Sequence, residues 1–378
     1  MLFYNFYRDP HNTATANLLS PAMPLFSVPP KTLCLIRLSA IGDCVHAVAM
    51  VQAIQRQWPQ TRIVWIMGKL EAQLLGDLPG INVIPFDKKA GFRGYWQIWR
   101  HLRHIRFDAL LHMQSALRAS LLRLGIRAKT VLGFDQQRAG DGQQYFTNCK
   151  VKSPESLHVL DGFMAFAQEL GIQDLTPKWF IPTSDIDNDW ARKQIDGKPT
   201  LLISPAASKA FKNWTTAGYA ALADHAASKG LQVFLCGGPS VVEQNMAQEI
   251  ISQCQSTPRN LIGKTNLKQL MALIKQSHMV LAPDTGPTHM ATAAGVPVLG
   301  LYAHHNPQRT GPYHCLQYVV NVYEKLITQQ TGRSLSELAW RTRLKDDLAM
   351  QQLSIDQVKM AFDTLLNDFP LADETKHE

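Results

Sequence analysis

From Leu33 onward, short apolar and β-branched segments alternate with stretches of helical periodicity, and the pattern occurs twice. The first series is "LCLIR" (33–37), "RIVWIM" (62–67), "NVIPF" (82–86), "DALLHM" (108–113) and "TVLGF" (130–134). Helical patterns such as "DCVHAVAMVQAIQRQW" and "GYWQIWRHLRHI" lie between them. The second series is "TLLIS" (200–204), "LQVFLC" (231–236), "NLIG" (260–263), "HMVLAP" (278–283) and "VPVLGLY" (296–302). Strands alternating with helices argue for parallel, helix-covered sheets. A chain of 378 residues is long enough for two such domains, since single cores stop growing at roughly 250–300 residues. The expected class is therefore α/β, with two Rossmann-like parallel-sheet domains. Open parallel sheets bind ligands beyond the carboxyl ends of their strands, so two facing sheets place a site in the cleft between them.

The expected boundaries are an unstructured extension at 1–30, a first domain at 31–182, a linker at 183–195, a second domain at 196–322 and a helical tail at 323–378. In the extension, prolines break the apolar stretch "LLSPAMPLFSVPP", which argues against a signal peptide. Met23 lies inside that stretch, so residues 1–22 read as a loose extension or as an early start. In the tail, Ser334 precedes Glu337 by three residues and Ser354 precedes Gln357 by three, the spacing of capping boxes. Two helices are expected there, the second burying a face of Ile355, Val358, Phe362, Leu365 and Leu366.

Composition bounds the function. Apolar residues make up 46% of the chain and charged residues 18%, a globular balance. No apolar run reaches the roughly 18 residues needed to span a bilayer. The six cysteines form no CxxC pair and read as reduced thiols. The net charge of +8 is concentrated: between Lys88 and Lys129 ten Lys or Arg face one acid, Asp108. Such a field favours an anionic partner, whether nucleic acid, anionic lipid or a phosphorylated sugar, unless it is a plain solvated face.

The richest segment is "VLAPDTGPTHMATAAGVPVLGLY" (280–302). A strand ends at Pro283, Asp284-Thr285-Gly286 turn, and Pro287 suits the first position of a helix. Backbone N–H groups around Thr285, Gly286, Thr288 and His289 then make an anion site, and Gly286 permits close approach. "SPAASKAFKNW" brings Ser208 and Lys212 to the same sheet edge, and "CGGPSVVE" brings a glycine loop and Glu243, a candidate acceptor for ribose hydroxyls. Neither a GxGxxG nor a GxxxxGK[ST] motif occurs, which removes the main support for a hydride-transfer or P-loop enzyme. Near the start, "RLSAIGD" places Asp43 at a turn into a helix, as a helix cap or as a base over the cleft.

"RLSAIGD", "DTGPTHMATAAGVPVLGLY" and "RTGPY" (309–313), in this order, resemble the ADP-heptose:lipopolysaccharide heptosyltransferases, glycosyltransferase family 9, over roughly residues 31–320. The resemblance implies the GT-B fold: two facing domains with a central cleft, acceptor in the first and nucleotide sugar in the second. It implies an inverting transferase with ADP-heptose as donor, no cofactor and no essential metal, and Asp43 as general base. By the same resemblance Lys212 contacts phosphate, Glu243 the ribose, and Asp284 and His289 lie beside sugar and phosphates. "MQSALRAS" is similar to a family segment that makes Gln114 and Arg118 candidates near the acceptor. The implied acceptor is a phosphorylated, Kdo-bearing lipid A core, which places the protein in the cytoplasm, peripheral on the inner membrane. The basic stretch with Trp96 and Trp99 suits that surface, and ordinary helix packing is the other reading of the two indoles.

Two places depart from the family pattern: Pro205-Ala206-Ala207 stands for Pro-Gly-Ala, and "AHHN" (303–306) follows "GLY". "DIDND" (185–189) imitates a metal-binding DxD but precedes a polar helix, where aspartates cap. His304 and His305 are adjacent and read as lining the nucleotide loop or facing water, and His46 as packing or as a partner for Asp43. Two rivals stay open: a GT-B enzyme with another nucleotide sugar or acceptor, and a non-enzymatic anion-binding protein that uses the basic stretch.

Overall fold

The structure, a computed structural model, describes residues 23–371. The reading of residues 1–22 as an extension lies outside the described residues. Leu25 and Phe26 donate backbone bonds to the carbonyls of Glu169 and Leu170, so this part of the expected extension runs along the first domain.

The first sheet holds β1 (Thr32–Ile36), β2 (Arg62–Gly68), β3 (Ile81–Phe86), β4 (Arg106–His112), β5 (Arg127–Gly133) and β6 (Cys149–Lys150), in the order β3-β2-β1-β4-β5-β6. The second holds β7 (Thr200–Ile203), β8 (Gln232–Leu235), β9 (Arg259–Asn260), β10 (Met279–Pro283), β11 (Val298–Tyr302) and β12 (Val319–Asn321), in the order β12-β11-β10-β7-β8-β9. Every pairing is parallel. The central strands are buried on both faces, which is why they read as continuous apolar runs. "NLIG" shortens to the two-residue β9, and the edge strands β6 and β12 are too short to announce themselves.

This order sets the location of the site. In each sheet successive crossovers leave in opposite directions from one pair of neighbours, β1 and β4 in the first sheet, β7 and β10 in the second. Crevices for ligands open at such switch points. The segments that follow these four strands begin at Arg37, Met113, Ser204 and Asp284, and they carry nearly every candidate residue.

The helix Ile41–Gln57 is rich in Ala and Val and is buried nearly all round, as a helix without a polar face must be. It packs against the helix Val159–Leu170 in its own domain and against the helix Gly286–Ala294 of the other. One continuous core therefore runs through both domains, while a smaller separate core lies under the helices Phe92–Leu102 and Leu117–Leu124.

The join and the tail differ in detail from expectation. Residues 185–195 form the helix Asp185–Ile195, packed on the helix Leu267–Gln276 and capped by Ser184. The "DIDND" aspartates thus fill its first turns. In the tail, the Ser334–Glu337 box forms but closes one 3₁₀ turn, Leu335–Glu337, in place of the expected helix. The following residues instead cross to the first domain, where Trp340 Nε1 donates to the Leu157 carbonyl at 2.8 Å and Arg341 bonds the Arg138 carbonyl. Leu344 N then donates to the His304 carbonyl and brings the chain back. The last helix, Ile355–Asp368, buries Val358, Phe362 and Leu365 as its periodicity predicts, although the Ser354 hydroxyl makes no capping bond.

Candidate active site

In the first domain, β1 ends and the turn 37–40 leads into the helix Ile41–Gln57. Gln114, beyond β4, accepts from Leu38 N at 2.7 Å and Ser39 N at 3.1 Å through Oε1. It braces the turn. Arg37 is pinned from below: Nη1 donates to the Met113 carbonyl at 2.6 Å, and its guanidinium lies 5.1 Å from the Phe163 ring centroid. Arg37 Nη2 pairs with Asp43 Oδ2, which also accepts from Ala40 N at 3.3 Å. Asp43 therefore does cap its helix, yet its side chain stays 33% exposed and Oδ1 has no hydrogen bond among the described residues. Capping fixes the carboxylate and leaves one oxygen available.

In the second domain, Asp284 follows β10 and gathers three groups. Lys212 Nζ lies 2.8 Å from Oδ2, His305 Nδ1 bonds the same oxygen, and His289 Nε2 lies 3.8 Å from Oδ1. Burial pushes the Asp284 carboxyl up, but His289, His305 and the Lys212 ammonium outweigh it and hold it well below the usual carboxylate range. Burial lowers the His305 imidazole, with Asp284 acting the other way. The helix Gly286–Ala294 starts here with Pro287 in its first turn, so its first N–H groups have no helical partners. Thr288 Oγ1 donates to the Pro283 carbonyl at 2.6 Å, which leaves this residue its backbone N–H for a ligand. Thr285 Oγ1 is buried and unpartnered among the described residues. A developing negative charge is well placed here.

The two halves touch. A Cβ on Gly42 would fall 2.2 Å from His289 Cδ2, so only glycine lets this ring lie against the first helix, and Gly286 faces Ile41. His46 Nε2 lies 3.0 Å from His289 Nδ1. Burial pulls the His46 imidazole well below its ordinary value, and the neighbouring imidazoles of His289 and His158 add to this. His158 accepts from Leu160 N at 3.0 Å and so donates through Nε2 to the Gly311 carbonyl at 2.9 Å, a second bond across the domains. The neutral tautomer follows from that pair of bonds.

The tail completes the wall. The Trp340 ring lies between the guanidinium of Arg138, at 5.2 Å, and that of Arg309, at 4.7 Å. Arg138 is held by a buried ion pair with Asp135 at 3.1 Å. Burial lowers the pKa of Arg309, while Asp284 and Asp43 both act to raise it. This guanidinium therefore senses the carboxylates of both domains.

Asp43, Lys212, Asp284, Gly286 and His289 thus converge. Glu243 stands at the next loop, where its carboxylate takes the Gly238 N–H and the Ser240 hydroxyl and so shapes the glycine turn. Ser208 is on an exposed loop and Arg118 is exposed on the helix Leu117–Leu124. Sequence reading missed Arg37, Arg138, His158 and Trp340 and set His46 aside. Arg37 alone had a signal, as the first residue of "RLSAIGD". His305, from the departing "AHHN" loop, proves to be an Asp284 ligand, while His304 bonds the Asp346 carbonyl. Among the described residues no group of three or more His, Cys, Asp or Glu side chains could hold a metal ion.

Comparison with known proteins points to one family. Residues 95–338 match glycosyltransferase family 9 (heptosyltransferase). The chain is similar to the lipopolysaccharide core heptosyltransferase OpsX of Haemophilus influenzae, 48% identical over 89% of this chain and 97% of that one. In three dimensions it resembles a family 9 glycosyl transferase from Veillonella parvula, with a TM-score of 0.73 at 20% identity, covering 92% of this chain and 99% of that one. It also resembles the Escherichia coli heptosyltransferase WaaC with ADP, with a TM-score of 0.67 at 17% identity over 88% and 99%. The fold is GT-B.

Proposed function

Because the chain belongs to glycosyltransferase family 9 and is a glycosyltransferase, we propose that it transfers heptose from ADP-heptose to the lipopolysaccharide inner core, with inversion, using Asp43 as general base. The observation that carries this reading is the abutment of two helix starts, one bearing Asp43 and the other beginning beside Asp284, with His289 between them and Lys212 paired to Asp284. A base and a phosphate site meet at the two switch points.

In this reading Asp43 Oδ1 takes the proton of an acceptor hydroxyl while Arg37 and Ala40 N hold Oδ2. The freed oxygen attacks the anomeric carbon from the face opposite the nucleotide, and the bond to ADP breaks. Its electron pair leaves on the β-phosphate, where Lys212 and the N–H groups of Gly286 and Thr288 oppose the charge without reorganising, that of His289 being taken by the first bond of the helix. Glu243 receives the ribose hydroxyls and Ser208 lies at the phosphate edge. No metal has a step. Arg118 and the basic stretch 88–129 meet a phosphorylated Kdo-lipid A acceptor at the cytoplasmic face of the inner membrane. Gln114, whose amide oxygen holds the turn, acts on the acceptor through the position of Asp43.

The test is incubation with ADP-heptose and Kdo-lipid A, with mass spectrometry for an added heptose. Wild type forms product, and Asp43→Ala loses about 10²–10⁴-fold in rate while keeping ADP affinity. Product from both proteins removes the base assignment; none from either removes the donor or acceptor. Loss of transfer after EDTA treatment overturns metal-free transfer.

A further inference from the structure

The face of the first sheet opposite the Ile41–Gln57 helix is covered by two short helices, Phe92–Leu102 and Leu117–Leu124. Their inner sides fill the smaller core: Ile98 and Leu102 from one, Ala119 and Leu122 from the other. Each also carries a second apolar stripe that the core does not use. Phe92 and Trp96 are four residues apart and 71% and 50% exposed. Leu117, Leu121 and Leu124 follow i, i+4, i+7 spacing, and Leu117 and Leu124 are each 55% exposed. Isolated exposed apolar residues need no explanation, but two aligned stripes on neighbouring helices do. Trp99 fixes them side by side, since its Nε1 donates to the Leu122 carbonyl at 2.8 Å.

The stripes are set in positive charge. Arg93, Arg100 and Arg118 are exposed on the same two helices, and the Arg100 guanidinium lies 5.2 Å from the Trp96 ring centroid. The one acid between residues 88 and 129, Asp108, is engaged elsewhere, by Lys129 and by the N–H groups of Lys31 and Thr32. An apolar stripe with a Trp and an uncompensated arginine rim is the composition of a helix that lies in a headgroup layer. The charge complement of this face is an anionic surface with an apolar interior.

We propose that this two-helix face docks on an anionic lipid bilayer, with Phe92, Trp96, Leu117, Leu121 and Leu124 entering the boundary between headgroups and acyl chains. The proposal deepens the reading above and rests on it for its purpose, since a lipid-borne acceptor must be met at the bilayer. Its test does not depend on that reading.

Full-length protein is sedimented with vesicles of phosphatidylcholine, with or without about a quarter phosphatidylglycerol, and with no lipid A present. Wild type partitions onto the anionic vesicles, and the binding falls as salt screens the arginines. Leu121→Glu weakens it about tenfold or more, and Leu117→Ser with Leu124→Ser, a gentler pair, weakens it in the same direction at unchanged Tm. Transfer of heptose to a lipid-free Kdo acceptor is unchanged in both variants. Absence of wild-type binding, equal binding to both vesicle types, or full binding by the folded variants overturns the proposal. So does a wild-type dimer that Leu121→Glu dissociates without any vesicle binding, which assigns the face to a second copy. Vesicle binding without heptose transfer leaves the docking face standing and removes the heptosyltransfer reading; the converse removes the docking face alone.

Discussion

His46 Nε2 and His289 Nδ1 lie 3.0 Å apart, one on a first-domain helix and the other on a second-domain helix. His289 Nε2 faces Asp284 Oδ1 at 3.8 Å, so the proton of His289 belongs on Nε2 and His46 is the donor to Nδ1. That leaves His46 Nδ1 bare, in keeping with its burial without a partner among the described residues. The first domain thereby sets the orientation of an imidazole beside the candidate phosphate site of the second.

Gly42→Ala tests how much this contact matters. Its Cβ would collide with the His289 ring at 2.2 Å, and overpacking of this kind costs about 1–3 kcal/mol. Transfer falls about tenfold to a hundredfold, while ADP affinity, which in the proposed reading rests on the second domain, changes little. Unchanged kcat in the variant would show that the two helix starts are free to separate.

Lys212→Met removes the ammonium from Asp284 and, in the proposed reaction, from the leaving phosphate. A charge-assisted hydrogen bond is worth about 1.5–3 kcal/mol, so kcat/KM for the donor falls roughly ten- to a hundredfold. Isothermal titration with ADP separates lost binding from lost catalysis. An affinity within about twofold of wild type confines the role of Lys212 to the transition state.

Trp340→Ala empties the space between Arg138 and Arg309. Two cation–π contacts of about 0.5–2 kcal/mol each are lost, together with the bond to Leu157. Limited proteolysis then cuts within residues 333–348 faster than in wild type. Equal cutting rates would mean that the tail holds to the first domain by other contacts.

Stability falls in mild acid. His112 and His158 are buried, which pulls each from an ordinary 6.5 to about 4. The folded protein keeps them neutral where the unfolded chain protonates them. Their contribution is complete above pH 6.5, declines as pH falls, and is gone below about 4. Each is worth roughly 3 kcal/mol at most. Urea midpoints measured between pH 7 and 4.5 should fall steadily, and His112→Gln should flatten part of the slope.

The strands were legible because a buried parallel strand is an apolar run, and the run positions match the observed ones to within a residue or two at most ends. The strand–turn–helix of the candidate phosphate site was legible because a strand end, a glycine turn and a helix start are adjacent in sequence. The pairing of His46 with His289 was not, since it spans 243 positions and depends on how two domains meet. His305 sits in a loop that departs from the family pattern, so it was read as lining the nucleotide loop or facing water, and no motif pointed to its bond with Asp284. The tail misled for another reason: the Ser334 box is a local signal and does form, but tertiary contacts of Trp340 and Arg341 override the helix it announces.

The crossing of the tail bears on turnover. The chain leaves the second domain after Thr331, touches the first at Trp340 and Arg341, and is back by Leu344. It is a latch carried by one domain, and releasing it stretches no covalent link. Together with the His46–His289 and His158–Gly311 bonds, the Trp340 contact then acts as a clock for any opening of the cleft. In enzymes where opening limits product departure, such a clock sets kcat from outside the reacting atoms, and changing one indole would retune throughput while leaving the chemistry alone.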